Sequence, residues 1–188
     1  MVERQEQAAQ DGVLTRIGQV VMLHHGGDRE EARRRLLDLW TEVGQDGDPL
    51  HRCTLAHYLA DTQDDPSDEL AWDLRALSAA QEAAQEPAQE AAQETAQETV
   101  RGGPDGAAGA VRGFYPSLHL NLAADYVKLG RTEAARSHLR RARGAAGALA
   151  DDSYGDGVRA AISRLALHLG DPPPPDDGPW EPPPRHSV

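Results

Sequence analysis

The chain of 188 residues is poor in the side chains that build sheets and stacking platforms. Aromatic residues make up 4% of it, with a single phenylalanine, which disfavours a sheet sandwich and leaves too few rings for stacking nucleic-acid bases. Cys53 is the only cysteine, so an intramolecular disulfide and a thiolate-rich zinc site are both excluded, as suits a reducing cytoplasm. Positive charge is also scarce: 19 basic residues, of which only Lys128 is a lysine, stand against 31 acidic ones for a net charge of −12. That average field repels a duplex or an anionic membrane surface, so neither nucleic acid nor membrane is expected as a partner. Two local basic clusters, Arg33 to Arg35 and Arg136 with Arg140, Arg141 and Arg143, are expected on solvated outer helix faces. No run is long and apolar enough to span a bilayer, and MVERQEQAAQDG lacks the apolar stretch of a signal peptide. A soluble, cytoplasmic protein is the expectation. No glycine-rich loop follows an apolar strand, and no cofactor is expected.

What is abundant is alanine, leucine and arginine, which favours an all-α chain. A helical domain over 13–169 is expected, preceded by a flexible 1–12. Around 14–25, Val13, Ile17, Val20 and Val21 recur at helical spacing, and His24-His25-Gly26-Gly27 marks the stop. Over 28–43, Asp28 caps, Glu30 and Glu31 occupy the first turn, and Ala32, Leu36, Leu39 and Trp40 form the buried stripe. A second pair opens at Asp48-Pro49, runs through Leu50, Cys53, Leu55, Ala56, Tyr58 and Leu59, and breaks at Gln63-Asp64-Asp65-Pro66. Ser67 reopens it, with Leu70, Leu74 and Leu77 on one face. A third pair is expected over 115–129 and 132–149, joined at Gly130. A last helix over 157–169, apolar at Val158, Ile162 and Leu165, reads as a cap.

Between the second and third pairs, about 81–112, lies a low-complexity insertion. Its four-residue repeat puts Glu82, Glu86, Glu90, Glu94 and Glu98 in register, overshooting a helical turn by roughly 40° each time, so no fixed apolar face results. Like charges at i,i+4 cost roughly 0.2–0.5 kcal/mol each, and Pro87 is expected to break the run. The expectation is a frayed, solvated extension closed by a loop at Gly102-Gly103-Pro104-Asp105-Gly106. Residues 170–188 read as a disordered, extended proline-rich tail.

In the third pair, Leu122-Ala123, Tyr126, Gly130, Ala135, Leu139 and Ala142 stand at offsets that resemble a tetratricopeptide repeat. Val20, Leu23, Gly27, Ala32, Leu36 and Leu39 repeat the pattern in the first pair, with Gln19 replacing the usual leucine. The middle pair keeps Leu55-Ala56 and Leu59 but has Leu70 at the small position, a degenerate unit. His119 stands where the family has a large aromatic residue. Such proteins are common in high-GC Gram-positive bacteria. The resemblance implies a short α-solenoid of about three hairpins plus a capping helix, with a groove lined by the first helix of each hairpin. It implies a protein or peptide partner for an accessory or regulatory module. Its candidate groove residues are Ile17, Val21, His24 and His25; Cys53, His57, Ala60 and Asp61; and Leu120, Ala124, Val127 and Lys128. Lys128 stands alone, so the paired cations of a carboxylate clamp are missing, and Asn121 is a further polar contact.

The histidines are the side chains most suited to chemistry near neutral pH. His51 and His57 diverge by about 240° on one helix and cannot chelate together. Cys53 and His57 have the i,i+4 spacing of a nucleophile and base, Asp61 is placed to orient the imidazole, and His24 could join them across neighbouring helices. A catalytic or metal-binding protein using Cys53, His57 and Asp61 is therefore the alternative. Against it, mid-helix amides are already bonded and supply no oxyanion hole, so no enzyme is expected.

Overall fold

A computed structural model describes the backbone of residues 2–94 and 107–170 and the side chains of 12–85 and 113–170. Among the described residues the chain is all-helical: α1 (Val2–His25), α2 (Arg29–Val43), α3 (Pro49–Asp61), α4 (Pro66–Glu94), α5 (Ala107–Lys128), α6 (Thr132–Ala145) and α7 (Ser153–His168). A 3-10 turn, Ala146–Ala148, links the last two.

The helix starts follow from side-chain capping. The Asp28 carboxylate accepts from the Glu31 N–H, Asp48 from the N–H groups of Leu50 and His51, and Asp152 from that of Gly155; each satisfies amides that have no partner inside their helix. The stops of α1 and α5 are matched. Gly27 (φ 95°) and Gly130 (φ 68°) take the left-handed conformation, which costs glycine little. In both, the N–H beyond the glycine reaches back five residues, from Asp28 to the Leu23 carbonyl and from Arg131 to that of Tyr126. That bond folds the chain into the next helix.

Three hairpins, α1–α2, α3–α4 and α5–α6, stack in sequence, and α7 packs on α5 and α6 as the cap. Three apolar clusters hold the stack. Ile17, Val20, Ala32, Leu36, Leu39, Leu55 and Leu59 join α1, α2 and α3. Cys53, Leu70, Ala76, Leu77, Leu118 and Leu122 belong to the cluster of α3, α4 and α5, and Ala123, Leu139, Val158, Ile162 and Ala166 to that of α5, α6 and α7. Along the array α1 touches α3, α3 touches α5 and α5 touches α7, whereas α2, α4 and α6 form no comparable row. The array therefore bends toward its first helices, which line the inner face.

Several boundaries differ from the sequence expectations. α1 reaches back to Val2 instead of leaving 1–12 flexible, and α5 begins at Ala107, with Pro116 inside it. α4 runs on through position 87 to Glu94 rather than breaking there. The α1 and α4 extensions are rich in alanine, glutamine and glutamate, strong helix formers, and the α5 extension carries alanine at 107, 108 and 110. The loop expected at 102–106 and the tail beyond 170 lie outside the described residues. α4 is also rotated: Leu74 is 42% exposed, and Asp73 lies buried in the stripe with Leu70, Ala76 and Leu77.

Candidate functional site on the inner face

Equivalent positions of the three hairpins sort by accessibility into an inner surface and a core beneath it. Val21, His57 and Ala124 are equivalent and all half-buried; His25, Asp61 and Lys128 are equivalent and all exposed. These two rows form the inner face. Three candidate groove residues do not belong to it: Ile17 and Cys53 are 2% exposed and Ala60 1%, Ile17 in the cluster that joins α1, α2 and α3, and Cys53 and Ala60 on the side of α3 turned onto its neighbours. Leu120, Val127 and His24 are half-buried. Between α5 and α7 the face opens into a cleft of about 450 Å³ lined chiefly by Leu120, Asn121 and Ala124 with Ala161, Leu165 and His168.

At the centre of this face, between α3 and α5, the floor is polar. Asp73 rises from α4 and Asp125 from α5, each 1% exposed, and no N–H or hydroxyl group donates to the buried Asp73 Oδ1 or Asp125 Oδ2, which leaves them a proton of their own to share. The His57 ring covers them from α3, its Nδ1 3.8 Å from Asp73 Oδ1 and 3.3 Å from Asn121 Nδ2. Lys128 Nζ lies 2.6 Å from both Glu69 carboxylate oxygens and 3.6 Å from Asp125 Oδ1, tying α5 to α4.

This crowding sets the protonation of the group. Burial first, then the negative charges of Asp73 and Glu69, push the Asp125 carboxyl up to about 8, against the pull of Lys128. Asp125 therefore carries a proton at neutral pH, shared toward Asp73, because two carboxylates in so dry a place cannot both ionise. Burial is the largest single influence on His57 and pulls it down, but the carboxylates of Asp73 and Asp61 outweigh it, so the imidazole titrates above its ordinary value. Asp61 also titrates high, through desolvation against the favourable charges of His57 and His24. The His57–Asn121 contact admits two states. Neutral His57 accepts at Nδ1 from the Asn121 amide; protonated, it turns an N–H toward Asp73 and needs the amide reversed.

The alternative built on Cys53, His57 and Asp61 finds no support in this geometry. Burial first, then the Asp73 charge, drive the Cys53 thiol up to about 12, so it is not a thiolate near neutrality. Among the described residues, no group of three or more His, Cys, Asp or Glu side chains is arranged to hold a metal ion. His119, in place of an aromatic residue, packs as one: its ring lies 6.3 Å from Tyr115 and 5.2 Å from His138, with Nδ1 atoms 3.2 Å apart. One ring must donate and the other accept, and burial, with His138 and Arg141 nearby, lowers His119 to about 4.

Sequence reasoning missed Asp73, Asp125 and Glu69. A signal was present: Asp73 stands three residues after Leu70 and four before Leu77, and Asp125 likewise between Leu122 and Leu129, positions that share the apolar stripe. Fold and site together define an all-α array of stacked helical hairpins whose inner face has a carboxyl floor. No known family model matches the chain, and no curated protein or solved structure is similar to it. No helix among the described residues is long and apolar enough to cross a membrane.

Proposed function

We propose that this chain is a tetratricopeptide-type interaction module that binds a protein partner, as an extended peptide or a helix, along its inner face. The observation that carries the reading is the accessible double row of Val21, His57 and Ala124 with His25, Asp61 and Lys128, continuous with the cleft between α5 and α7. A row repeated at equivalent positions presents mixed polar and apolar contacts at the spacing of the helices, which suits a ligand laid across them. With the reading go a cytoplasmic setting, an accessory or regulatory role, and the absence of catalysis.

The test is a double variant, Val21→Glu with Ala124→Glu, whose helix content is first verified by circular dichroism. A partner captured from the native host's extract is identified, purified and titrated against both proteins. Affinity lost by at least about tenfold in the variant, the effect of about 1.4 kcal/mol, supports the inner face. Unchanged affinity for every partner moves the binding surface elsewhere.

A further inference from the structure

We propose that the cleft between α5 and α7 is the docking site of the chain's own C-terminal segment, residues 171–188, with Trp180 seated in the cleft and the acidic residues of the segment against Arg164 and His168. Docking of this kind needs no external partner; it gives one end of the inner face an occupant within the chain. The cleft, about 450 Å³, has the size of a small-ligand site, and Leu120, Ala124 and Leu165 make its walls mostly apolar. Covering apolar walls of this kind is favourable, and a side chain that fits them gains by entering.

Charge at the cleft is the reverse of that of the chain. The whole chain carries −12, yet no acidic side chain is among those lining the cleft, and Arg164 and His168, four residues apart on one side of α7 and both exposed, stand at its mouth. Residues 171–188 carry the matching sign, with Asp171, Asp176, Asp177 and Glu181 against Arg185. Trp180 is their one aromatic residue. The two other tryptophans, Trp40 and Trp72, pack edge to face at 5.2 Å against the apolar clusters, so Trp180 is the large apolar ring with no place among them. An indole buries a large area and asks for one acceptor at its N–H. Asn121, whose Nδ2 lies 3.3 Å from His57 Nδ1, carries an amide oxygen in the cleft wall that can supply it.

The segment also leaves the fold at the right place. α7 ends at His168, itself part of the cleft. The Arg136 guanidinium donates to the Leu169 carbonyl at 3.0 Å and fixes the point of departure, and Gly170, in the left-handed conformation at φ 66°, turns the chain off the helix axis. Trp180 stands ten residues beyond Gly170, a span of at most about 30 Å at 3.1 Å per residue in polyproline geometry. Along α7 the cleft extends only about 10 Å back from His168 to Ala161, at 1.5 Å per residue. The tether therefore reaches the cleft with length to spare and holds Trp180 at an effective concentration in the millimolar range, so a modest contact suffices to fill the site. Pro179 and Pro182 beside the tryptophan restrict the free segment, which lowers the entropy lost on docking.

NMR of the full chain tests this. The Trp180 indole signal is assigned by its loss in Trp180→Ala, a change outside α1 to α7, and its nuclear Overhauser contacts are traced in the wild type. The expected result is contact between the indole and the methyls of Leu120 and Leu165, with Trp180→Ala shifting those methyls and the Asn121 side-chain amide. Arg164→Glu, at an exposed position, should lower the ratio of docked to free segment by about two- to fivefold, the scale of an exposed ion pair, read from the Leu165 methyl between its wild-type and Trp180→Ala positions. Should Arg164→Glu lose helix content, raising salt from 0.05 to 0.5 M on the wild type reads the same loss by screening. Trp180→Ala that leaves the cleft unmoved overturns the proposal. So does a shift confined to Arg140, Arg141 and Arg143, which places the segment on the outer arginine face of α6. Contacts seen only between differently labelled chains in a mixed sample overturn it as well, in favour of a second copy's segment.

Discussion

The two joints of the array are built to different rules. Where α1 and α2 meet α3, Ile17, Leu36, Leu39, Leu55 and Leu59 interdigitate with at most 3% exposure. Outside them Arg16 holds Glu42 at 2.6 and 2.7 Å, and Arg29 reaches across to Asp64 and the Gln63 carbonyl. Where α4 meets α5, Leu70, Ala76, Leu118 and Leu122 are also buried, but Asp73 and Asp125 lie in the same joint and share a proton. Apolar surface at the first joint stabilises directly. Buried carboxyls at the second offset part of that gain, because desolvating them is unfavourable whatever they later pair with. The contrast can be tested residue by residue.

The largest effect should come from the apolar joint. Leu36→Ala or Leu55→Ala removes a fully buried side chain and leaves a cavity, so a loss of about 2–5 kcal/mol is expected in urea unfolding. The converse change at the polar joint, Asp73→Leu combined with Asp125→Leu, should be neutral or stabilise by about 1–4 kcal/mol, as replacement of buried ionic groups by apolar ones often does. If the double variant is instead as unstable as Leu36→Ala, the carboxyls hold the fold together and the contrast between the joints fails.

The pH dependence sharpens the same contrast. Asp125 is raised from 3.8 to about 8, so between those values the native state holds a proton that the unfolded chain has lost, and stability falls as pH rises through the window. His119 acts oppositely. It is lowered from 6.5 to about 4, the unfolded chain binds the extra proton between those values, and stability falls as pH drops from 6.5 toward 4. The two contributions offset each other below 6.5, and the decline above 6.5 belongs to Asp125 together with His57, which is also raised. Asp125→Asn should make that decline shallower, leaving the share of His57, and uncover the rise due to His119 below 6.5. His119→Phe should flatten the acid side, with the ring stack to Tyr115 and His138 kept. Urea unfolding at pH 4.5, 6, 7 and 8 reads both; an unchanged alkaline slope in Asp125→Asn would show that Asp125 is ionised in the native state.

Much of this architecture was legible in the chain. Asp28, Asp48 and the glycines 27 and 130 mark their caps because capping is local chemistry, decided within a few residues. The stripe of Ala32, Leu36 and Leu39 and its counterpart of Ala135, Leu139 and Ala142 are buried as their spacing requires. The rotation of α4 was not legible. Its buried face is made largely of Ala76, Ala79, Ala80 and Ala83, which carry little hydrophobic signal, so leucine spacing placed Leu74 inward and left unread that Asp73 shares the stripe of Leu70 and Leu77. Cys53 and Ala60 fell into the groove by equivalence with positions of neighbouring hairpins, but the degenerate middle hairpin packs that side of α3 on both neighbours. That Asp73 and Asp125 meet is a fact of how α4 and α5 pair across the insertion, and no local pattern encodes it.

The smallest effects separate surface ion pairs from those that reach the polar joint. Arg16 and Glu42 are each about half exposed, and such pairs are solvated almost as well apart as together. Arg16→Gln should leave the melting curve within experimental scatter. Lys128 is comparably exposed, at 45%, yet it also lies 3.6 Å from Asp125, whose carboxyl it holds down. Lys128→Met should therefore change overall stability little at pH 6, where Asp125 is protonated either way. It should move the alkaline end of the stability decline above pH 8, because the remaining neighbours, Asp73 and Glu69, only raise Asp125 further. A profile for Lys128→Met that overlays the wild type would mean that Lys128 pairs with Glu69 alone, and His57 would then be the group that faces the carboxyls of the polar joint.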